Sequence, residues 1–461
     1  MATLPRLERF SDLEDLLAEV TDYEKELGYR YTGKTFDLAR MHALLGRLGR
    51  PEKGRASIHV AGTKGKGSTS ATAAAILRTT GAAPVGLYTS PHLVHLRERV
   101  RLNGRALPDD DWLAAARAVL THGLDMAASG QAPTFFELTT AIAFDAFRRE
   151  ACEAQVVEVG LGGRLDATNV LEPPDLAASI VTEIGLDHTA LLGKTTDKIA
   201  LEKAAIARPG VPLIVGAHDP LALAAIEEHA RAIGAPVERL GRELVVTVER
   251  VSLDGTRFTL ETPRGRYRSL ETPLIGRHQA DNAALAIAAV EHVWRGPLAA
   301  SGVDVALLED DVRRGLARVR WRGRFDLVRR PGSASVLIDG AHDPTSTARL
   351  VATVKEAIPG VRPVLLLAIA RDKEVDLVLD ALAGFPIEAV ACRAKTKRAA
   401  EPAELRAKLE ARGIRTTAVE GTSEEALALA REKAGPHGLV LAAGSLYLAG
   451  EVLAALGESV E

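Results

Sequence analysis

Ile58-His59-Val60-Ala61-Gly62-Thr63-Lys64-Gly65-Lys66-Gly67-Ser68-Thr69 decides the fold: an apolar strand breaks into glycines, lysines and hydroxyls, then feeds the alanine-rich helical stretch Ser70–Thr79. Gly62, Gly65 and Gly67 permit positive φ and close backbone approach, so successive N–H groups can point at a polyphosphate. The following helix offers its N-terminus to the same anion, and Lys66 brings a charge to the β- and γ-phosphates. Ser68 or Thr69 offers a hydroxyl to magnesium. A glycine-rich turn with a solvated lysine is the plainer reading. Lysine, glycine and two hydroxyls in succession between strand and helix favour phosphate, and ATP is the expected ligand. Gly67, standing between Lys66 and the hydroxyls, departs from the commonest P-loop spacing.

Around that stretch lie 461 residues, more than a single core usually supports, so two domains are expected. A formal charge of −3 with interspersed signs leaves no footprint for nucleic acid or an anionic membrane, so the expected partners are small molecules. Cys152 and Cys392 show no metal-ligand spacing and read as buried thiols in a reducing compartment. The stretch Met1–Arg9 lacks the apolar core of a signal peptide, and Leu439–Leu456 is interrupted by Gly444, Ser445 and Glu451. The expectation is a cytoplasmic protein.

Along the chain, Leu13–Leu27 and Met41–Leu48 read as helices, with polar turns at Tyr31–Thr35 and Gly49–Arg55. Pro84–Tyr88 is a short buried strand that ends beside Ser90. Thr134-Phe135-Phe136-Glu137 opens a helix through Arg148, and an N-cap with its capping-box partner accounts for Thr134 and Glu137. Gln155–Val159 is a buried strand interrupted by Glu158, a carboxylate that must be paired, protonated or metal-bound. Ala177–Thr182 delivers Asp187-His188 beyond its carboxyl end, where open parallel sheets bind ligands. Ser90, Glu158 and His188 thus stand at three strand ends; a hard cation suits the two oxygens, and a hydrogen-bonded loop histidine is the plainer account of His188. Lys203 lies in a helical stretch Lys198–Ala207, and Glu243–Ile275 reads as antiparallel hairpins. Gly276–Asn282 leads into the apolar helix Ala283–Val293. Small residues at Arg295–Gly302 mark the domain boundary, giving residues 1–298 and 299–461. Beyond it strands at Ser335–Ile338, Pro363–Ala368, Ile387–Ala391, Thr416–Val419 and Leu439–Ala442 alternate with helices.

These motifs, with Leu186-Asp187-His188, Glu202-Lys203-Ala204 and Asp339-Gly340-Ala341-His342, occur in one order across both domains. In that order the chain resembles the folylpolyglutamate synthase and dihydrofolate synthase branch of the Mur ligase superfamily. The resemblance implies an α/β fold: a P-loop-containing Mur-ligase-like central domain plus a smaller Rossmann-like C-terminal domain. It implies a monomeric enzyme that phosphorylates a pteroate or folate carboxylate with ATP, lets L-glutamate attack the acyl phosphate, and uses one or two Mg2+ ions.

Residue by residue, the resemblance assigns Gly62, Thr63, Gly65, Lys66, Gly67, Ser68, Thr69, Asn282, Arg324 and Asp339 to the nucleotide. Ser90, Glu158, His188 and Lys203 fall to magnesium, and Lys66, Lys203 and His342 to catalysis. Lys203 matches a position carbamylated in the family; N6-carboxylysine requires a neutral amine, scarce for a lysine of reference pKa about 10.4. Thr134, Phe135, Phe136, Glu137, Leu165, Asp166 and Ala167 fall where the family binds the pterin. Three positions depart from the pattern. Lys64 and Asp343 each replace an asparagine, adding opposite charges that compensate if they face across the cleft, and Asp37 stands where glycine is common. A cell-wall Mur ligase would carry a separate domain before the P-loop, where about sixty residues stand here. A non-catalytic nucleotide-binding protein would have no use for the metal trio and Lys203.

Overall fold

The computed structural model describes residues 7–23, 36, 38–295, 309–386 and 388–459. Its strands are β1 (Ala56–Ala61), β2 (Val85–Tyr88), β3 (Val100–Leu102), β4 (Arg105–Ala106), β5 (Ala154–Glu158), β6 (Leu176–Val181), β7 (Leu213–Val215) and β8 (Val237–Arg239). There follow β9 (Val245–Ser252), β10 (Gly255–Thr262), β11 (Gly265–Thr272), β12 (Asp326–Arg330), β13 (Ser333–Ile338), β14 (Val364–Leu367), β15 (Glu388–Ala391), β16 (Thr416–Ala418) and β17 (Leu439–Ala443). The larger sheet runs β4-β3-β2-β5-β1-β6-β7-β8, parallel except for β3 and β4. The smaller runs β12-β13-β17-β14-β15-β16, parallel except for β12. β9–β11 form the antiparallel meander that the hairpin turns predict.

Every residue of β1, β5 and β6 is buried, as expected of parallel strands covered on both faces. Ile58 and Val60 join one core with helices Lys66–Leu77 and Arg277–Arg295 and the meander. The opposite face of the sheet packs against helices Leu38–Arg47, Asp109–Ala128 and Phe135–Arg149. The smaller sheet carries its own core on each face. The phosphate stretch therefore emerges at the middle of the larger sheet, which holds its backbone from both sides.

Several boundaries shift. The first helix spans Phe10–Ala18 rather than Leu13–Leu27, its cap at Glu19 closing it early. The helix after the glycines begins at Lys66, four residues before Ser70, because Gly65 takes a left-handed cap with φ 86°. The helix bearing Lys203 spans Thr196–Ala204, and the one after Gly276 starts at Arg277. Short or polar strands β3, β4, β7, β8 and β12 carry too few apolar residues to announce themselves. The turn Tyr31–Thr35, Asp37 and the domain boundary after Arg295 lie outside the described residues. Cys152 and Cys392 are free and buried, and burial pushes both thiols up to about 12.

Candidate active site

Starting the helix at Lys66 changes what the glycine stretch presents. Lys66, Gly67 and Ser68 form its first turn, so their N–H groups belong to the donors that a helix leaves unsatisfied, while Thr69 N donates to Gly65 O at 2.9 Å. Gly62 (φ 149°) and Gly65 hold positive φ, but Gly67 is helical. Its glycine answers packing instead: a Cβ there would meet the Trp321 indole at 2.7 Å. A Cβ at Gly65 would lie 2.3 Å from Asn282 Oδ1. Both glycines let the loop sit against side chains that the rest of the fold brings in.

The turn opens into a cavity of about 890 Å3 lined from both sheets. Thr63, Gly65, Lys66, Gly67, Ser68, Asn282, Arg324 and Asp339 are on its wall. Gly62 and Thr69 are buried outside that wall, so Ser68 is the hydroxyl turned toward the space. Ser90, Glu158 and His188 all reach the cavity, and so do Thr134, Phe136, Glu137, Leu165, Asp166, Ala167 and His342. Phe135 does not; its ring is buried in the core, with the Arg99 guanidinium 5.0 Å from its centroid.

Charge is distributed unevenly over these walls. Glu158 ends β5 fully buried and accepts one hydrogen bond, from Ser90 N at 3.3 Å. Burial pushes its carboxyl up to about 7, against the pull of Lys66. Lys203 is not among the residues that line the cavity; it is 5% exposed, and burial together with Lys66 brings its ammonium down to about 7. Neither group, nor Lys66, has an ion pair among the described residues. Asp187, by contrast, is held well below the usual carboxylate range by His188 and Lys373 in spite of its burial. His188 has φ 48° and a side chain 46% exposed to the cavity, yet the surrounding walls push it down to about 4.

Other site residues hold the walls in place. Glu137 accepts from Thr134 N at 2.7 Å, completing the capping box, and takes Arg40 Nε at 2.8 Å. Asp166 accepts from Leu161 N and Thr168 N, fixing the glycine-rich loop. Asp339 accepts from Phe325 N and Ala341 N, both at 2.8 Å. His342 Nδ1 donates to Gly340 O at 2.7 Å; burial lowers its pKa, so Nε2 keeps a lone pair. Lys64 and Asp343 meet across the cleft at 2.6 Å, the compensation their opposite charges imply. Three more pairs join the lobes among the described residues, Arg277–Glu356 at 2.8 Å, Lys373–Asp187 at 3.1 Å and Arg349–Glu183 at 3.5 Å.

Sequence matching agrees with this geometry. The Mur ligase middle domain matches residues 60–290, and the Mur ligase glutamate ligase domain matches residues 323–446. The dihydrofolate synthase/folylpolyglutamate synthase of Bacillus subtilis is 33% identical over 90% of this chain and 94% of its own length. The chain belongs to the folylpolyglutamate synthase and dihydrofolate synthase family. The Mycobacterium tuberculosis folylpolyglutamate synthase structure complexed with ADP superposes on it with a TM-score of 0.85 at 28% identity, over 98% of this chain and 99% of that one. Escherichia coli FolC in complex with DHPP and ADP gives 0.80 at 30%, over 98% and 99%. Within this family fold, Arg40, Arg99, Asp187 and Lys373 are cavity-lining charges that sequence reasoning left without a role. Arg99 is 1% exposed and donates to His92 Nδ1 at 2.9 Å. No local spacing flags them, because their partners arrive from distant segments.

Proposed function

We propose that this protein joins L-glutamate by an amide bond to the carboxylate of a folate or dihydropteroate, passing through an acyl phosphate. It is an ATP-dependent acid–amino-acid ligase of the Mur type. The observation that carries the substrate reading is the convergence, on one cavity lined by both lobes, of a helix N-terminus with Lys66, a buried Glu158 with no ion pair among the described residues, and a wall formed by Thr134, Phe136, Glu137 and Leu165–Ala167.

In this reading the free N–H groups of the first turn and Lys66 take the phosphates, and Asn282 and Arg324 flank the nucleotide. Asp339 acts through the backbone, shaping the loop from which Arg324 projects. Ser90, Glu158 and His188 suit magnesium: a desolvated carboxylate without an ion pair among the described residues, in contact with Ser90 N, shares the cavity wall with the Ser90 hydroxyl and an unprotonated imidazole. Magnesium there would neutralise charge on the transferring phosphoryl group. Lys203, with its pKa brought near 7, has the neutral amine that carbamylation needs, and the resulting carboxylate would suit a second magnesium. Phosphoryl transfer asks mainly for positioning and charge neutralisation. The ion pairs across the cleft would then shut water away from the acyl phosphate. His342, neutral with a lone pair at Nε2, can take a proton from the incoming amine.

The same reading divides the chain into an ATP-binding domain over residues 1–298 and a Mur-ligase C-terminal domain over 299–461. It makes the protein a monomer and places it in the cytoplasm. Among the described residues no helix is long and apolar enough to cross a membrane. The deciding experiment incubates the purified protein with ATP, magnesium, glutamate and either dihydropteroate or tetrahydrofolate, and resolves products by mass. ADP release that requires both glutamate and a pterin acid is expected, with turnover falling when bicarbonate is removed. ADP release indifferent to either acid would overturn the reading.

A further inference from the structure

Outside the reaction cavity, the loop that follows β15 carries cations whose positions divide between two spaces. Thr396 and Arg398 line the main cavity, whereas Arg393, Lys395 and Lys397 line a shallower groove of about 480 Å3 to which Thr396 also contributes. The two spaces share a wall at Thr396. Gly421-Thr422-Ser423 closes the far side of the groove, and no carboxylate is among its lining residues. Arg393 is within 3.3 Å of Glu401, but the ammonium groups of Lys395 and Lys397 have no ion pair among the described residues. Thr422 and Glu425 already cap the neighbouring helix reciprocally, so an anion in the groove would be met by the side-chain cations.

Three exposed like charges on one short loop repel one another, and clefts lined by one sign concentrate ligands of the other. The loop lies at the carboxyl edge of a parallel sheet, the edge at which ligands bind in such folds. Each ligation consumes one acceptor carboxylate and brings in two with the new glutamate, so the product carries one more negative charge than the acceptor. A chain extended through γ-carboxyl groups leaves an α-carboxylate on every unit, repeating at a fixed interval. Cations at positions 393, 395 and 397 recur likewise, and the groove adjoins, at Thr396, the cavity assigned to the reacting carboxylate.

We propose that this groove binds the α-carboxylates of a poly-γ-glutamyl tail, so that the enzyme prefers acceptors that already carry several glutamates. The proposal rests on the ligase reading above and adds a tail subsite to it. The groove acts on affinity, leaving the chemical step untouched.

The test compares wild type with Lys395→Gln/Lys397→Gln and with Arg393→Gln/Lys395→Gln/Lys397→Gln, using tetrahydrofolate monoglutamate and pentaglutamate as acceptors. In the triple variant KM for the pentaglutamate should rise about tenfold, equivalent to about 1.4 kcal/mol, while KM and kcat for the monoglutamate stay within twofold and report an intact fold. In wild type, added salt should raise KM for the pentaglutamate alone, and a pterin-free tetra-γ-glutamate should compete with that acceptor but not with the monoglutamate. Equal changes for both acceptors, or none for the pentaglutamate, overturn the tail subsite. Competition by inorganic tripolyphosphate as strong as that of the peptide also overturns it, by assigning the groove to phosphate. A wild type inactive on the monoglutamate, the pentaglutamate and dihydropteroate alike would instead remove the ligase reading, so the two failures are distinct.

Discussion

At the rim of the larger sheet, Lys66, Glu158 and Lys203 face one another's fields with no ion pair among the described residues. At the rim of the smaller sheet, Asp339 is tied to two backbone N–H groups, Asp343 to Lys64 and its own helix, and Lys373 to Asp187. Lys66 and Glu158 border the same cavity as the smaller lobe's groups, with Lys203 outside its lining, so the difference lies in what each rim leaves unfinished. The larger lobe keeps buried charge uncompensated, which costs stability until anion and cation arrive. The smaller lobe uses its charges to fix loops and to grip the other lobe, as a cover must. Ligand binding energy should therefore be concentrated in the larger lobe and closure energy along the seam.

The largest break in that contrast comes from Lys66→Ala. Removing the cation beside the phosphates should lower turnover roughly a thousandfold, the scale of losing a positioned charge in phosphoryl transfer. The melting temperature should fall little or rise, since Lys66 has no ion pair among the described residues. Turnover within tenfold of wild type would take the residue out of the mechanism.

Glu158→Gln sharpens the same side of the comparison. The folded-state carboxyl lies near 7 and its reference value near 4.5, so its contribution to stability is full below 4.5 and is lost as pH rises through 7. Glutamine escapes that loss. In metal-free protein the variant should melt higher than wild type at pH 8, by roughly 3–6 °C, with no such gain at pH 5. Magnesium with a non-hydrolysable ATP analogue should then stabilise wild type more than the variant. An identical difference at both pH values would mean that the carboxylate is not strained by burial.

Much of this contrast is legible in the sequence, for reasons that differ by lobe. Glu158 stands out because a carboxylate closing a run of valines has no cheap alternative to a ligand, and the glycines around Lys66 signal backbone geometry locally. Gly67 shows where local reading stops: it is glycine because Trp321, more than 250 positions away, lies against it. Phe135 and Thr69 fail similarly, since a motif marks a segment but helix phase decides which of its side chains reach the cavity. Arg40, Arg99 and Lys373 left no pattern, because pairing between distant segments has no period in the chain, and Asp187, though part of a motif, gave no sign of its pairing with Lys373.

The smallest expected effect falls on the seam. Lys64 and Asp343 are each 16% exposed and 2.6 Å apart, a partly buried pair with an expected coupling of about 1 kcal/mol. Lys64→Asn and Asp343→Asn should each raise KM for ATP a few-fold, and the double variant should recover part of the loss, because it leaves neither partly buried charge without its partner. Although burial raises the Asp343 carboxyl, the hydrogen bond from Lys64 outweighs it and holds the group below 3.8. The pair's stabilisation is accordingly present above 3.8 and lost as pH falls through the depressed folded value. Urea titrations of the four proteins at neutral pH should show that coupling, and the same cycle should show it fading in the acid range. Additive single changes at neutral pH would mean that the contact spans the cleft without holding it, leaving Arg277–Glu356, Lys373–Asp187 and Arg349–Glu183 to carry closure.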